Sequence, residues 1–319
     1  MISIGVIMNP IESINPSTDS TLAMMDALQI NHEIIYIIPQ TLHMTNHSVI
    51  AKVCKVEVFP NKKEYYKLND ERYENLANLT CVLFRIDPPV NTSYIQMTLL
   101  LDCLVNKGTM VINSPQTIRD FNEKILGTYL NTHLLPSMIS KDIDVIQNFI
   151  DNNNEVVLKP LNLMGGIGVT KVSKKTNNLK KIIENLTNNF KKYIMVQKYL
   201  DEIDNGDTRI LITNGEIHQD VLVRYPKKGD FRANLSYGGK YAINRINPEH
   251  TKILVPIAEY LKNNGIYFSG VDMIGNYITE INITSPTGIR QIETINKELR
   301  YEVASHITSA INNYHADIK

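Results

Sequence analysis

The chain has 319 residues, of which 43% are apolar and 21% charged, and its 33 basic residues balance 33 acidic ones. This length allows two or three subdomains with cores of their own. Zero net charge argues against a general binder of nucleic acid or of acidic membranes. No stretch has the roughly 18 apolar residues of a membrane span, and the first residues lack the basic start of a signal peptide.

The three cysteines, Cys54, Cys81 and Cys103, are odd in number and have no metal-ligand spacing. We therefore expect reduced, mostly buried thiols in a cytoplasmic protein. The eight histidines show no zinc-binding spacing, and no Ser-His-Asp or Cys-His pattern stands out. Any chemistry is thus expected to rely on a bound metal and positive charge rather than on a covalent protein intermediate.

Strands and helices alternate in the first third of the chain. The pattern predicts a strand at 3–8, a helix at 20–28, strands at 32–38 and 81–85, a helix at 93–106 and a strand at 110–113. Such alternation favours an open, mainly parallel α/β sheet. Ligands bind beyond the carboxyl ends of strands in these sheets, where the loops 9–20 and 85–89 fall.

From Ser114 onward the pattern changes towards antiparallel α+β. We predict a helix from Ser114 through Lys124, strands at 155–160 and 169–172, a helix at 178–190, strands at 193–197, 208–212 and 216–224, a polar loop at 225–240 and helices at 252–263 and 297–313. A strand–turn–strand hairpin is predicted around Gly275.

This hairpin carries a possible metal site. Glu280 and Asn282 are two residues apart, so both point to one face of a strand, and hard oxygen donors suit a Mg²⁺ ion whose other ligands are nucleotide phosphates. An exposed hairpin with a polar face is the alternative. A two-residue turn at 275–276 would put Asp272 on the opposite face from Glu280. We therefore predict a bulge or an odd-length loop that brings Asp272 to the same site.

Two lysines and a glycine loop point to phosphate binding. Gly165 and Gly166 link strand to strand, which is neither a P-loop nor a dinucleotide fingerprint, and a plain tight turn is an alternative. Lys159 ends an apolar strand, where a lysine is unusual without an anionic partner. Lys124 is a second candidate, although a solvated helix lysine would have the same spacing.

Five arginines lie at strand ends or in adjoining loops, where bidentate contacts to carboxylates or phosphates are possible. Each of them could instead form a surface salt bridge. They are Arg85, Arg209, Arg224, Arg232 and Arg290.

Taken in order, these segments resemble the prokaryotic glutathione synthetases of the ATP-grasp superfamily. The resemblance covers essentially the whole chain, through residues 8–11, 85–89, 115–124, 158–160, 165–166, 197–200, 206–209 and 272–290. Glu-x-Asn with two lysines marks ATP-grasp proteins generally. The Arg-x-Asp-Pro-Pro motif at 85–89 and the Asn-x-Thr-Ser-Pro-Thr-x-Ile-Arg run at 282–290 are more specific to this family. Lys198 stands where the family commonly has Asn.

The resemblance implies an ATP-grasp fold behind an N-terminal open parallel-sheet substrate domain. It divides the chain into a substrate-binding domain at 1–122, a central lid subdomain at 123–202 and a C-terminal subdomain with the metal site at 203–319. It also implies a homotetramer that binds small molecules, and neither nucleic acid nor membrane.

The resemblance assigns the nucleotide and metal sites as follows. Lys124 and Lys159 would hold ATP phosphates under the Gly165-Gly166 loop, and Asp207 would lie near the ribose. The hinge that reads adenine would be Gln197, Lys198, Tyr199 and Leu200. Two Mg²⁺ ions, which Mn²⁺ can replace, would be held by Asp272, Glu280 and Asn282.

Catalytic and substrate residues are implied in the same way. Arg209 and Arg224 would face the reacting carboxyl group and the γ-phosphate, together with Lys159. Arg232 and Asn234 would help to close the site. The contacts to γ-glutamylcysteine would come from Arg85, Ser285, Pro286 and Thr287.

The implied reaction is ATP-dependent ligation of γ-L-glutamyl-L-cysteine to glycine through an acyl phosphate, giving glutathione, ADP and phosphate. Another ATP-grasp carboxylate–amine ligase, such as a D-alanine ligase or a protein-tail glutamate ligase, is the nearest alternative. A nucleotide-dependent interaction protein without turnover is a further one, which the intact metal residues and both lysines disfavour.

Overall fold

The computed structural model describes residues 2–130, 135–235 and 238–317. These residues form three β-sheets, with α-helices packed against them. No helix within these ranges is long and apolar enough to cross a membrane.

The first sheet combines a parallel and an antiparallel part. Its strands are β1 (Ser3–Met8), β2 (Glu33–Ile37), β3 (His43–Thr45), β4 (Ser48–Val58), β5 (Tyr66–Asn75), β6 (Cys81–Arg85) and β7 (Met110–Ile112). The neighbours β2-β1-β6-β7 are parallel, which confirms the prediction for these strands. The strands β3, β4 and β5 extend the sheet in antiparallel fashion and were not predicted. Polar residues dominate β5, so its sequence carries little strand signal.

Helices cover both faces of this sheet. They are α1 (Ser20–Leu28), α2 (Thr92–Val105) and α3 (Pro115–Asp120). Helix α1 begins at Ser20 because Asp19 Oδ1 accepts a hydrogen bond from the Leu22 N–H at 2.6 Å. The C-terminal helix α9 (Leu299–Asp317) packs against α1, and both helices contribute to the core of the first sheet.

The predicted single helix from Ser114 through Lys124 is wrong, because the chain forms two helices here. Helix α3 ends before Phe121, whose backbone is extended. Asn122 then caps α4 (Glu123–Tyr129) by accepting hydrogen bonds from the N–H groups of Lys124 and Ile125. Asn is a preferred N-cap residue, so the second helix starts afresh at this point.

The second sheet is antiparallel and four-stranded, in the order β10-β9-β11-β8. Its strands are β8 (Ser137–Ser140), β9 (Glu155–Pro160), β10 (Thr170–Ser173) and β11 (Ile194–Lys198). Helices α5 (Ile143–Asn153) and α6 (Leu179–Leu186) bury their apolar faces against it. Strand β8 and helix α5 were not predicted.

The third sheet is also antiparallel, in the order β15-β14-β12-β16-β17 with β13 paired to β12. Its strands are β12 (Asp207–Thr213), β13 (Glu216–Ile217), β14 (Asp220–Tyr225), β15 (Lys240–Arg245), β16 (Phe268–Ile274) and β17 (Tyr277–Asn282). The strand predicted at 216–224 is therefore interrupted. Helices α7 (Pro248–Asn263) and α8 (Ile289–Ile292) complete this part.

One buried side chain joins the first sheet to the third. Asn113, at the end of β7, donates hydrogen bonds to the carbonyl oxygens of Phe268 and Ile283, both at 2.7 Å. Its Oδ1 accepts from the N–H groups of Tyr267 and Phe268. Because all four hydrogen bonds of the amide are made to backbone, this residue holds the carboxyl end of the parallel strands against the hairpin.

Candidate active site

A cavity of about 750 Å³ lies where the three sheets meet. Its walls come from the loops after β1 and β6, from β9 and β11, and from β12, β14, β16 and β17. The residues predicted for the site line this cavity, except Arg85 and Arg290. Arg290 instead donates to the Pro16 carbonyl, Glu293 and Asn61. The folding of distant segments has thus brought the predicted lysines, arginines and metal ligands to one place.

The hairpin has the irregularity that its sequence predicted. Asp272 pairs with Glu280 and Met273 with Ile278, so Thr279 is an extra residue that forms a bulge. The bulge places Asp272 on the same face of the hairpin as Glu280 and Asn282. Asn282 Nδ2 donates a hydrogen bond to Asp272 Oδ2 at 3.1 Å. The predicted irregularity is confirmed. It is needed because side chains alternate between the two faces of a strand, so one extra residue changes the face on which Asp272 lies.

Two arginines surround Asp272. Arg209 lies opposite it on β12 and forms a bidentate pair, with Nε to Oδ1 at 2.7 Å and Nη2 to Oδ2 at 2.6 Å. Arg224 Nη2 lies 2.8 Å from Asp272 Oδ1 and 2.7 Å from Asp207 Oδ2. The strand register thus holds two guanidinium groups at the cavity wall.

The surroundings shift the pKa values of Asp272 and Asp207 in opposite directions. Burial alone would raise the pKa of Asp272, but Arg209 and Arg224 hold that pKa below its usual range. Burial raises the pKa of Asp207 to about 6. Arg224, its ion-pair partner among the described residues, is shared with Asp272 and does not offset the loss of water.

The two lysines reach the cavity from different sheets. Lys124 Nζ donates to the Leu163 carbonyl at 2.7 Å and to Glu280 Oε1 at 3.0 Å. Lys159 Nζ donates to the neutral Gln197 Oε1 at 2.7 Å. Burial lowers the pKa of Lys159. A cation that faces a cavity with only a neutral hydrogen-bond acceptor is suited to bind an anion.

The donor atoms around the bulge fit a nucleotide-bound metal ion. Glu280 and Asn282 both line the cavity, and in the described ranges Asn282 Oδ1 accepts no hydrogen bond. The same ranges contain no group of three His, Cys, Asp or Glu residues placed to hold a metal by themselves. Further ligands must therefore come from a bound molecule, as Mg²⁺ sites that use phosphate oxygens require.

Two loops approach each other over the cavity. Gly165, Gly166 and Gly168 have φ values of +66°, +77° and +74°, which glycine adopts without strain. A Cβ atom at Gly165 would lie 3.8 Å from Asn234 Nδ2. Residues 236 and 237 of the predicted loop at 225–240 lie outside the described residues.

The second loop also contacts the hinge. The ring of Phe231 packs edge-on against Tyr199, with centroids 6.5 Å apart. Asp230 receives hydrogen bonds from Arg232, which lower the pKa of that carboxyl to about 2. The aromatic contact links the loop to the segment predicted to read adenine.

Arg85 is not among the residues that line the cavity, and its predicted contact to γ-glutamylcysteine stays a prediction. It is 5% exposed and donates to Thr21 Oγ1 at 3.1 Å and to the Pro286 carbonyl at 2.8 Å. Its guanidinium lies 5.0 Å from the centre of the Phe268 ring. The side chain supports the segment 285–287 from behind, which its position at the end of a strand could not reveal.

Several cavity residues escaped prediction because they resemble ordinary caps and turns. Asp87 accepts hydrogen bonds from Asn9 Nδ2 at 2.9 Å and from Ser285 Oγ at 2.5 Å. Glu123 Oε1 accepts from the N–H groups of Ile283 and Thr284 at 2.8 and 2.9 Å. The Asn9-Pro10 and Asp87-Pro88 pairs were the available signal, since both follow parallel strands.

The fold is the ATP-grasp fold, and a family model of an ATP-grasp domain matches residues 123–297. Solved structures with this fold include D-cycloserine synthetase, with a TM-score of 0.66 and 10% identity over 97% of this chain and 99% of that one. Another is D-alanyl-alanine synthetase A from Vibrio cholerae, with a TM-score of 0.64 and 14% identity over 99% of both chains. These identities are low and show the shared fold alone.

Sequence comparison gives the family. Models of the N-terminal and ATP-grasp domains of prokaryotic glutathione synthetase match residues 2–119 and 123–297. Glutathione synthetases from Buchnera aphidicola (subsp. Schizaphis graminum) and Vibrio cholerae are each 38% identical, over 92% of this chain and 92% of each relative. The chain therefore belongs to the prokaryotic glutathione synthetase family.

Proposed function

We propose that the protein is a glutathione synthetase, an ATP-dependent ligase that joins γ-L-glutamyl-L-cysteine to glycine and forms glutathione, ADP and phosphate. One observation carries the proposal beyond family membership. Lys159, Arg209 and Arg224 line the same cavity as the Asp272-Glu280-Asn282 hairpin, so phosphate-binding cations and metal-binding oxygens face one space.

ATP occupies the part of this cavity between the second and third sheets. Lys124 and Lys159 hold its phosphates, and the N–H groups of the Gly165-Gly166 loop cover them. In the hinge, the N–H groups of Lys198 and Tyr199 already donate to Pro136 and Glu155. Adenine is therefore read by the remaining backbone groups of Gln197, Lys198, Tyr199 and Leu200, with Asp207 near the ribose.

A divalent metal accompanies the nucleotide. Asp272, Glu280 and Asn282 would hold two Mg²⁺ ions, which Mn²⁺ can replace, together with the phosphates. When bound, the metal neutralises negative charge on the phosphoryl oxygens. Arg209 and Arg224 orient the Asp272 carboxylate for this task through the ion pairs described above.

The ligation proceeds in two steps. The cysteine carboxylate of the donor attacks the γ-phosphorus and releases ADP, which gives an acyl phosphate. The glycine amine then attacks the acyl carbon, loses a proton and expels phosphate. Arg209, Arg224 and Lys159 stabilise the charge that develops on the transferring phosphoryl group and the tetrahedral oxygen. One such contact lowers the barrier by roughly 3–4 kcal/mol.

Two loops exclude water from the acyl phosphate. The glycine loop and the loop at 225–240 meet at Gly165 and Asn234. Arg232 and Asn234 close the second loop over the reacting groups, and the contact between Phe231 and Tyr199 ties that loop to the hinge.

The donor binds against the segment Ser285-Pro286-Thr287. These residues line the cavity. Arg85 is a positioning residue, because it holds the Pro286 carbonyl from the buried side.

The larger organisation is part of the same proposal. A substrate domain at 1–122, a lid subdomain at 123–202 and a C-terminal subdomain at 203–319 are supported by the sheets, since each span holds one of them. A cytoplasmic location suits the free cysteines. The homotetramer rests on the family resemblance.

Phosphate release from MgATP, measured with γ-glutamylcysteine and with and without glycine, tests the reaction. Strong release that needs both substrates, with glutathione as product, is expected. Release only with other amino-acid acceptors would contradict the proposal and move the protein to another ATP-grasp ligase class.

A further inference from the structure

The ring of Tyr199 connects the second sheet to the segment 226–235. Tyr199 follows β11, lines the cavity and is half-buried. Phe231, which also lines the cavity, packs edge-on against this ring, with the two ring planes at 74°. The orientation of the Tyr199 ring therefore decides where Phe231 can pack against the sheet.

Lys171 lies over the face of the same ring. It belongs to β10, and its side chain reaches across β9 towards the end of β11. Its Nζ lies 3.4 Å from the centre of the Tyr199 ring, whereas the other cation–ring distances among the described residues are 4.4 to 5.7 Å. A cation attracts the negative face of an aromatic ring, so this close contact favours one rotamer of Tyr199 over the others.

Glu155 on β9 fixes both partners of this contact. Its Oε2 lies 2.9 Å from Lys171 Nζ, and its backbone carbonyl accepts a hydrogen bond from the Tyr199 N–H at 3.0 Å. The lysine and glutamate side chains are 27% and 49% exposed, so the ion pair contributes little to stability by itself. Its consequence is geometric, because it keeps the lysine above the ring.

Lys171 shares the cavity face of the second sheet without lining the cavity. It pairs with Val157, and Val157 pairs with Gln197, so these three side chains point to one face. Val157 and Gln197 line the cavity, whereas neither Lys171 nor Glu155 does. The effect of Lys171 on the site is therefore indirect and passes through Tyr199.

We propose that Lys171 is a positioning residue for the ligation: it holds the Tyr199 ring in the orientation to which Phe231 docks, and so keeps the segment 226–235 over the reacting groups. The inference rests on the proposed function, because the acyl phosphate is what this segment shields from water. A ring that is already ordered lowers the entropic cost of docking. A residue on an edge strand of the second sheet thus sets how well the site is closed.

The first test measures coupling in Lys171→Met, which removes the charge and keeps most of the side-chain length. ATP hydrolysed per glutathione formed should rise by about two- to fivefold, the range for loss of a cation–π contact near the surface. Lys171→Arg keeps a cation over the ring and should restore the ratio. Lys174→Met, an exposed change directly after β10, should leave the ratio near one. An unchanged ratio in Lys171→Met, or a rise that Lys174→Met shares or Lys171→Arg does not reverse, would contradict the proposal.

The second test does not depend on ligase activity. The chain contains no tryptophan, so Phe231→Trp introduces a single indole at the docking position. In that background, Lys171→Met should increase quenching of the indole fluorescence by acrylamide, a neutral quencher, because the indole loses its fixed partner, and Lys174→Met should not. Unchanged quenching in Lys171→Met would overturn the positioning role. Absence of turnover with γ-glutamylcysteine and glycine in the unmodified enzyme would instead overturn the proposed function and, with it, the role of Lys171 in ligation, even where the quenching result upholds the ring contact.

Discussion

The two walls of the cavity hold their charges in different ways. On the side of the third sheet, Arg209 and Asp272 face each other across paired strands and are bound at two points. On the opposite side, which we call the N-terminal wall, the lining residues lie within 9–19 and 87–88. Here Asp19 caps a helix and Asp87 lies in a loop, and both accept hydrogen bonds from neutral donors. We call the first arrangement, formed by Arg209, Arg224 and Asp272 on paired strands, the rigid wall. Its charges are partly neutralised by each other, which suits charge that develops during a reaction. The second keeps a net charge, which suits recognition of a charged ligand.

The largest effect is expected from Arg209→Lys. A lysine cannot reproduce the bidentate contact to Asp272, so kcat should fall by about 10²- to 10³-fold, as for loss of a preorganised donor. Arg245→Lys is the matched control, since that arginine pairs with Asp220 at the surface and is 70% exposed. If kcat falls no further in Arg209→Lys than in Arg245→Lys, the rigid wall has no catalytic role.

Glu280→Gln should change the metal requirement. The amide oxygen can still accept from Lys124 Nζ, but the negative charge is lost. The free Mg²⁺ concentration for half-maximal activity should rise by at least about tenfold, a shift of the size found when metal sites are perturbed. Titration of activity with Mg²⁺ measures this, with the exposed Glu259→Gln as control. Equal titration curves would exclude Glu280 as a ligand.

Arg232→Ala should uncouple ATP use from ligation. Loss of this loop residue exposes the acyl phosphate to water, so ATP hydrolysed per glutathione formed should rise. The measurement is phosphate against glutathione in the same sample. Lys228→Ala, an exposed change in the same loop, should leave the ratio near one. An unchanged ratio in Arg232→Ala would refute the protective role.

Asp207→Asn should change how stability depends on pH. Because the pKa of Asp207 is raised from 3.8 to about 6, the folded state retains a proton between these values that the unfolded state releases. Its contribution to stability is therefore present below pH 4 and lost as pH rises through 6. Asn stays neutral, so the variant should gain in Tm relative to the original enzyme over this range. A constant Tm difference would show that the pKa is not raised.

The smallest effect is expected from Lys198→Asn in the hinge. The side chain is exposed, and its backbone N–H donates to the Pro136 carbonyl whatever the side chain is. KM for ATP should change by no more than about twofold, as for an ordinary surface substitution. A larger rise would show that the lysine side chain itself contacts the nucleotide.

The sequence predicted the rigid wall better than the N-terminal wall. Strand periodicity predicted an irregularity between Asp272 and Glu280, as a bulge or an odd-length loop, and the structure places it at Thr279. The order of the family motifs along the chain predicted that Lys159 and Arg209 share one site. The break before Asn122 was missed because the cap residue lies inside a helix-like pattern. The burial of Arg85 behind Pro286 was not predicted, because it depends on packing between the first and third sheets. Asp19 and Asp87 were passed over because each reads locally as a cap or a turn.

The most direct test of the account follows an oxygen atom. γ-Glutamylcysteine labelled with ¹⁸O in its cysteine carboxylate is incubated with MgATP and glycine, and the released phosphate is analysed by mass. If the carboxylate attacks the γ-phosphorus beside Arg209 and Arg224, one ¹⁸O atom per glutathione formed must appear in inorganic phosphate. Formation of glutathione with unlabelled phosphate would contradict the acyl-phosphate route and the role given to the rigid wall.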